Sequence, residues 1–284
     1  MKERINFGYP PQEYCEPENA GIVIIPVAYD GTSTWGKGAD KGPAAMIEAS
    51  ANMELYDIET DSEVYKKGIF TEETTGGDIS TNEMIDIVNE TTRYYLENNK
   101  FVVVIGGEHS VSIGSIKAHA KHFQNLTVLQ LDAHADLREE YNGSKYNHAC
   151  VMARTKELCP VVQVGIRSMD SSEKESMDKA SVFFAKDIYN KTDWINEVIS
   201  KLSENVYITI DLDVFDPSIM PSTGTPEPGG LLWYDVLEFL KTISEKKNLV
   251  GFDVVELCPN SRNTSPDFMA AKLIYKLLSY KFRG

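Results

Sequence analysis

Four apolar or β-branched runs in this chain each end at a short acidic motif. Gly-Gly-Glu-His follows Phe101–Ile105, Asp-Ala-His-Ala-Asp follows Leu126–Leu131, Asp-Leu-Asp follows Val206–Ile210, and Val-Glu lies inside Leu249–Leu257. The Val102-Val103-Val104-Ile105 run does not alternate, as expected of a strand covered on both faces. Read as strands, the four runs carry His109, Asp132, His134, Asp136, Asp211, Asp213 and Glu256 to strand ends. In an open parallel sheet that edge is where ligands bind. So many carboxylates at the mouth of an apolar core need a counter-charge, and the imidazoles among them suggest a metal.

The remaining pattern supports the same class. Further candidate strands are Ile22–Val27, Gly68–Phe70, Val161–Gly165 and Val182–Phe184. Candidate helices between the runs are Pro43–Leu55, Glu83–Glu97, Ser110–His122, Asn147–Glu157, Asp193–Ser203, Trp233–Ser244 and Pro266–Tyr280. Strand and helix in turn imply right-handed crossovers and a parallel sheet, hence an α/β fold. A length of 284 residues allows one or two domains. With no repeat and no low-complexity linker, residues 1–284 read as one domain. The one long irregular stretch, Asp213 to Gly230, leaves an acidic strand end, so a functional loop is expected there.

Charge narrows the partners. The net charge of −15 argues against nucleic acid, whose binding rests on neutralised phosphates. It suits a small cationic substrate. No apolar run is long enough for a membrane span. The start, Met1-Lys2-Glu3-Arg4-Ile5 followed by Pro10-Pro11, has no apolar signal core, so a cytoplasmic enzyme is expected. The four cysteines form no CxxC pair, so reduced and mostly buried thiols are expected, with no direct role for Cys150.

Residues two apart on an extended segment face the same way, which brings Asp211 to Asp213 and groups Asp132, His134 and Asp136. Carboxylates held that close repel unless one takes a proton. A divalent cation removes the conflict, and four aspartates with two histidines suffice for two metals with bridging carboxylates. Oxygen-rich ligands with a minority of imidazole favour Mn²⁺ over a structural zinc. Bland alternatives exist for single residues. An isolated strand-end Asp commonly caps a helix, the Asp211–Asp216 segment lacks the spacing and glycine of a calcium loop, and His119 and His122 are expected on the solvated face of an amphipathic helix. Two metals sharing a water can supply hydroxide at neutral pH. A phosphoester would call for a basic clamp, yet Arg138 is the one basic side chain read in the motif loops. Glu256 adds an anion instead, suited to a bidentate pair with a guanidinium.

Taken together, these residues resemble the ureohydrolases, the arginase and agmatinase family. The resemblance runs from Pro26 to Pro259 in unbroken order. It takes in Gly42-Pro43-Ala44-Ala45, Gly106–Ser110, Asp132–Asp136, Gly165–Ser168, Asp211–Pro217, Thr223–Leu231 and Gly251–Glu256. It implies a three-layer αβα fold with a mostly parallel, eight-stranded sheet, two Mn²⁺ per subunit, and homo-trimers or homo-hexamers. Residue by residue, it implies one metal on His109, Asp132, Asp136 and Asp211 and another on Asp132, His134, Asp211 and Asp213, with Asp132 and Asp211 bridging. It further implies that Glu256 holds the guanidinium, that His148 carries protons, and that Thr225 lines the guanidinium pocket.

Within that family the chain looks most like the agmatinases, which make putrescine and urea from agmatine in polyamine biosynthesis. Arg138 stands where arginases place an asparagine that reads the substrate carboxylate. Asp170 aligns with a residue that meets the α-amino group, so it either meets the ammonium of agmatine or braces its loop. The alternatives are arginase or guanidinobutyrase activity, a metal-dependent deacetylase of related architecture using a single zinc, or a non-catalytic guanidino-binding protein.

Overall fold

The computed structural model describes residues 5–283. The charged start Met1–Arg4, read above for its lack of a signal core, lies outside the described residues, as does Gly284.

Among the described residues nine strands form one sheet: β1 Ile22–Ala28, β2 Ile69–Thr71, β3 Thr75–Gly76, β4 Phe101–Gly106, β5 Leu126–Leu131, β6 Val161–Ile166, β7 Val182–Phe184, β8 Asn205–Asp211 and β9 Asn248–Val255. Their order is β2-β1-β4-β9-β8-β5-β6-β7, and every pairing between them is parallel. Eight strands were expected from the sequence. The ninth, β3, is a two-residue strand that pairs with Val27 and Ala28 of β1, too short to leave a pattern in the sequence.

Non-alternating strands arise because both faces of the sheet are covered. Ile22, Ile24, Val103 and Ile105 enter one core, while Val23, Ile25, Val102 and Val104 enter the other. The helices are α1 Gly42–Ser50, α2 Thr81–Glu97, α3 Ser112–His122, α4 Val151–Lys156, α5 Ala185–Ile188, α6 Trp194–Lys201, α7 Trp233–Lys246 and α8 Ser265–Lys281. α1, α7 and α8 pack together over the first core, and α2, α3 and α4 over the second. This is the expected three-layer arrangement. Among the described residues no helix is long and apolar enough to cross a membrane.

One expectation fails here. His119 is fully buried, whereas His122 is exposed as expected. The buried face of α3 is built from Ser112, Gly114, Ser115 and Ala118 as well as Ile113 and Ile116. Small polar residues there hide the helical hydrophobic period. The imidazole of His119 donates from Nδ1 to the Ser115 carbonyl (2.8 Å) and sits over Gly251 of β9, where a Cβ would lie 2.2 Å from Nε2. Burial lowers its pKa to about 4, so the ring is neutral.

Far from the strand ends, Lys276 of α8 is buried against Asp57 (3.0 Å) and Glu59 (2.6 Å), and Lys241 and Tyr280 also hold Glu59. Burial opposes the Glu59 charge, but these partners prevail and bring its pKa from 4.5 down to about 2. A carboxylate with a lowered folded pKa contributes stability that is complete above its unfolded pKa and lost as pH falls through the folded one. Lys276→Met leaves Asp57 buried without its cation, so it should cost about 3 kcal/mol at neutral pH. It should also flatten the loss of stability between pH 4.5 and about 2. Urea unfolding midpoints across that range read both effects, and an unchanged midpoint at pH 7 would refute the assignment.

Candidate active site and metal centre

The ends of β4, β5, β8 and β9 converge on a cleft of about 270 Å³ lined by His109, His134, Asp136, Asp211, Glu256, His148, Arg138, Asp170 and Thr225 among others. Sheet register causes the convergence: β4, β9, β8 and β5 are consecutive neighbours, so their terminal motifs end side by side.

Asp211 and Asp213 each fix one oxygen by a backbone hydrogen bond and keep the other for the cluster, while both oxygens of Asp132 are fixed and still face the imidazoles. Asp132 Oδ1 accepts from the His134 amide (2.6 Å) and Oδ2 from the Gln130 side chain (2.7 Å). Asp213 Oδ1 accepts from the Ala133 amide (3.0 Å), and Asp211 Oδ1 from the Asp213 amide (2.9 Å). What remains points inward. His109 Nδ1 lies 2.9 Å from Asp136 Oδ2, 3.2 Å from Asp132 Oδ2 and 3.5 Å from Asp211 Oδ2. His134 Nδ1 lies 2.9 Å from Asp213 Oδ2 and 3.7 Å from Asp132 Oδ1.

These atoms make two candidate metal-ligand groups, His109–Asp132–Asp211 and Asp132–His134–Asp213, joined by Asp132. Asp211 falls in the first group only, and Asp136 reaches the first through its contact with His109. All six expected ligands are therefore brought to one place.

The fit to cations can be tested on His109. Its Nε2 is 2.9 Å from Thr209 Oγ1, which itself donates to Asp253 (2.6 Å). Nε2 must then carry a proton and donate to Thr209, which leaves Nδ1 to face the carboxylates. Among the described residues that buried Nδ1 has no partner in good hydrogen-bond geometry, although three carboxylates surround it. Burial opposes a charged ring, yet Asp132 and Asp136 raise the His109 pKa well above its ordinary value, so Nδ1 either holds a second proton or, as a lone pair, serves a metal in its place. The proton affinities of the cluster say the same. Burial and then Asp132 push Asp136 up to about 7. Burial followed by Asp213, Asp132 and Glu256 raises Asp211 well above the carboxylate range. Burial works against a charged His134, yet Asp213 and Asp132 push it up to about 12. The cluster holds its charge only by collecting protons, and divalent cations would take their place.

Glu256 stands apart from that group. It has a left-handed backbone at φ 68°, as Asp136 does at φ 52°; such strain in non-glycine residues gathers at functional sites. Its Oε1 accepts the His109 amide (2.7 Å). Burial, followed by repulsion from Glu108, pushes it up to about 8. A buried carboxylate of that kind gains from a cationic ligand.

The outer residues differ from one another. His148 opens the short turn His148–Cys150, capped by Asn147, whose side chain accepts the Ala149 amide (3.1 Å). Thr225 is exposed on the Asp213–Gly230 loop. Asp170 braces its own loop: Oδ1 accepts from Ser172 (2.9 Å from the amide, 2.6 Å from the hydroxyl), while Oδ2 lies 3.7 Å from Arg138. Arg138 also stacks on Tyr141 at 4.4 Å. Cys150 is buried, and its thiol is pushed up to about 11, chiefly by burial, which leaves it inert.

Arg138 is not the only basic side chain at these loops. Arg167 donates to the carbonyls of Asp213 (2.5 Å) and Glu227 (2.8 Å), so it fastens the long loop instead of facing the cleft. The sequence reading also missed Thr32, Glu108 and Asp253. Glu108 lies inside the Gly-Gly-Glu-His motif and is fully buried, a signal that was available but unread. Thr32 left no signal, since only the fold carries it to Glu108.

Comparison with known proteins agrees with this picture. A model described as the arginase family matches residues 20–279. The chain is 37% identical to the N(1)-aminopropylagmatine ureohydrolase of Synechocystis sp., covering 95% of this chain and 94% of that protein. It is 31% identical to the agmatinase of Pyrococcus horikoshii, covering 94% of each. The crystal structure of agmatine ureohydrolase of Thermoplasma volcanium superposes with a TM-score of 0.87 at 30% identity, covering 100% of this chain and 96% of that one.

Proposed function

The chain belongs to the arginase family, and from that premise we propose that it is a metal-dependent ureohydrolase acting on a small cationic guanidino compound. Agmatine is the first choice, with putrescine and urea as products, a step of polyamine biosynthesis. The observation that carries this reading is the division of labour among the carboxylates. Six clustered residues suit two cations, while Glu256 remains over to receive a guanidinium.

His109, Asp132, Asp136 and Asp211 would hold one Mn²⁺, and Asp132, His134, Asp211 and Asp213 the other. A bound pair of such cations supplies hydroxide from water at neutral pH. The protein's own residues do the rest. Glu256 orients the guanidinium through charge-assisted hydrogen bonds, with Thr225 on the pocket wall. The planar carbon is thereby presented to the nucleophile at a fixed angle. Breaking the C–N bond needs a proton on the leaving amine, and His148 delivers it from the cleft wall. Residues 1–284 act as one ureohydrolase domain, in a cytoplasmic homo-trimer or homo-hexamer.

A second substrate reading, the same reaction on N1-aminopropylagmatine, is favoured by the outer cleft. Its lining includes the Trp35 indole, 83% exposed, together with Asp170 and Glu173. An indole face attracts an ammonium, and the aminopropyl extension adds one. Urea release from agmatine, N1-aminopropylagmatine, arginine and guanidinobutyrate decides. The proposal expects one of the first two to have the highest kcat/KM, and preference for a carboxylate-bearing substrate would refute the assignment while keeping the class.

His148→Asn should lower turnover about a hundredfold and leave metal content intact. Loss of metal in that variant would contradict the proton-carrying role.

A further inference from the structure

The loop after β1 and the loop after β4 are pressed together: the Glu108 amide donates to the Tyr29 carbonyl (2.9 Å), and a Cβ on Gly107 would lie 1.9 Å from that oxygen. The contact brings Thr32 onto Glu108. The Glu108 carboxylate is fully buried and accepts from the Thr32 amide (2.9 Å), the Thr32 hydroxyl (2.5 Å) and the Ser110 hydroxyl. On its other side, Thr32 Oγ1 is 3.0 Å from the His148 amide and 3.1 Å from His148 Nδ1.

With Glu108 accepting as a carboxylate, counting protons and lone pairs gives the direction of each bond. A hydroxyl has one proton and two acceptor lone pairs. The Thr32 proton is committed to the carboxylate, so both lone pairs are left to accept. His148 must therefore donate from its amide and from Nδ1–H. With Nδ1 carrying the proton, the neutral ring has its lone pair on Nε2, the nitrogen opposite Thr32.

We propose that Thr32, anchored by Glu108, is a positioning residue that sets the orientation and tautomer of His148. The inference rests on the reading of His148 as the proton carrier. Nε2 takes a proton from the nucleophilic water and passes it to the departing amine nitrogen as the C–N bond breaks, which restores the Nε2 lone pair. Throughout, Nδ1–H stays on Thr32. Without that acceptor the ring can turn over or protonate on the wrong nitrogen.

The test is a kinetic cycle on the manganese-loaded protein with Thr32→Val, Thr32→Ser, His148→Asn and the Thr32→Val/His148→Asn pair. Thr32→Val should lower kcat about ten- to a hundredfold, a share of what a general acid–base residue contributes, with little change in KM. Thr32→Ser should recover most of that loss. In the His148→Asn background, Thr32→Val should cost less than about twofold, because residues acting as one unit are not additive. Metal content and melting temperature, measured on all four, separate positioning from damage to the fold. Full additivity of the two substitutions, wild-type kcat in Thr32→Val, or metal loss shared by Thr32→Val and Thr32→Ser would overturn the inference. Urea release by the unaltered protein tests the reaction itself, so the two readings fail separately.

Discussion

Asp132→Ala is expected to strip both metals and to lower urea release by about three orders of magnitude or more, some 4 kcal/mol of barrier. The reason is its position: Asp132 is common to both ligand groups, and its two oxygens reach His109 on one side and His134 on the other. It is also fully buried and held in place by Gln130 and the His134 amide. Asp211→Ala should behave alike if Asp211 bridges, whereas Asp213→Ala should weaken one metal more than the other. Elemental analysis of the purified variants beside wild type reads the difference. Retention of both metals by Asp132→Ala would remove the shared-ligand arrangement.

Glu256→Gln is the second large effect. The amide keeps the shape and can still accept from the His109 amide, which Glu256 Oε1 does at 2.7 Å. What it loses is the charge facing a guanidinium in a buried site, an interaction whose removal costs roughly 3 kcal/mol or more. We expect kcat/KM for agmatine to fall by about two to three orders of magnitude, with part of the loss in KM because the substrate cation is already charged when it binds. Metal content should be unchanged, since Glu256 belongs to neither ligand group. A KM and kcat close to wild type would mean that the guanidinium is held elsewhere.

The fold was legible because buried parallel strands advertise themselves. A run such as Val102–Ile105 cannot be half-solvated, and its two-core placement follows directly. The convergence of the candidate metal ligands was legible for a related reason, as residues two apart on a strand end share a direction and like charges so placed call for a cation. His119 was misread because a helix face of Ser, Gly and Ala looks polar while packing tightly. Asp170 shows the limit for loops: its alignment left a substrate contact and a loop brace both open, and in the structure its Oδ1 caps a turn while the residue also lines the cleft. Thr32 was out of reach altogether, because its partners Glu108 and His148 are 76 and 116 residues away in the chain. Hydrogen-bond networks that close across loops have no periodicity to read.

Titrating metal-free protein with Mn²⁺ while following urea release from agmatine tests the central claim most directly. The account predicts no urea without metal, then a rise that saturates at two equivalents per chain. Saturation at one equivalent, or no urea from agmatine or N1-aminopropylagmatine at any metal loading, would contradict it.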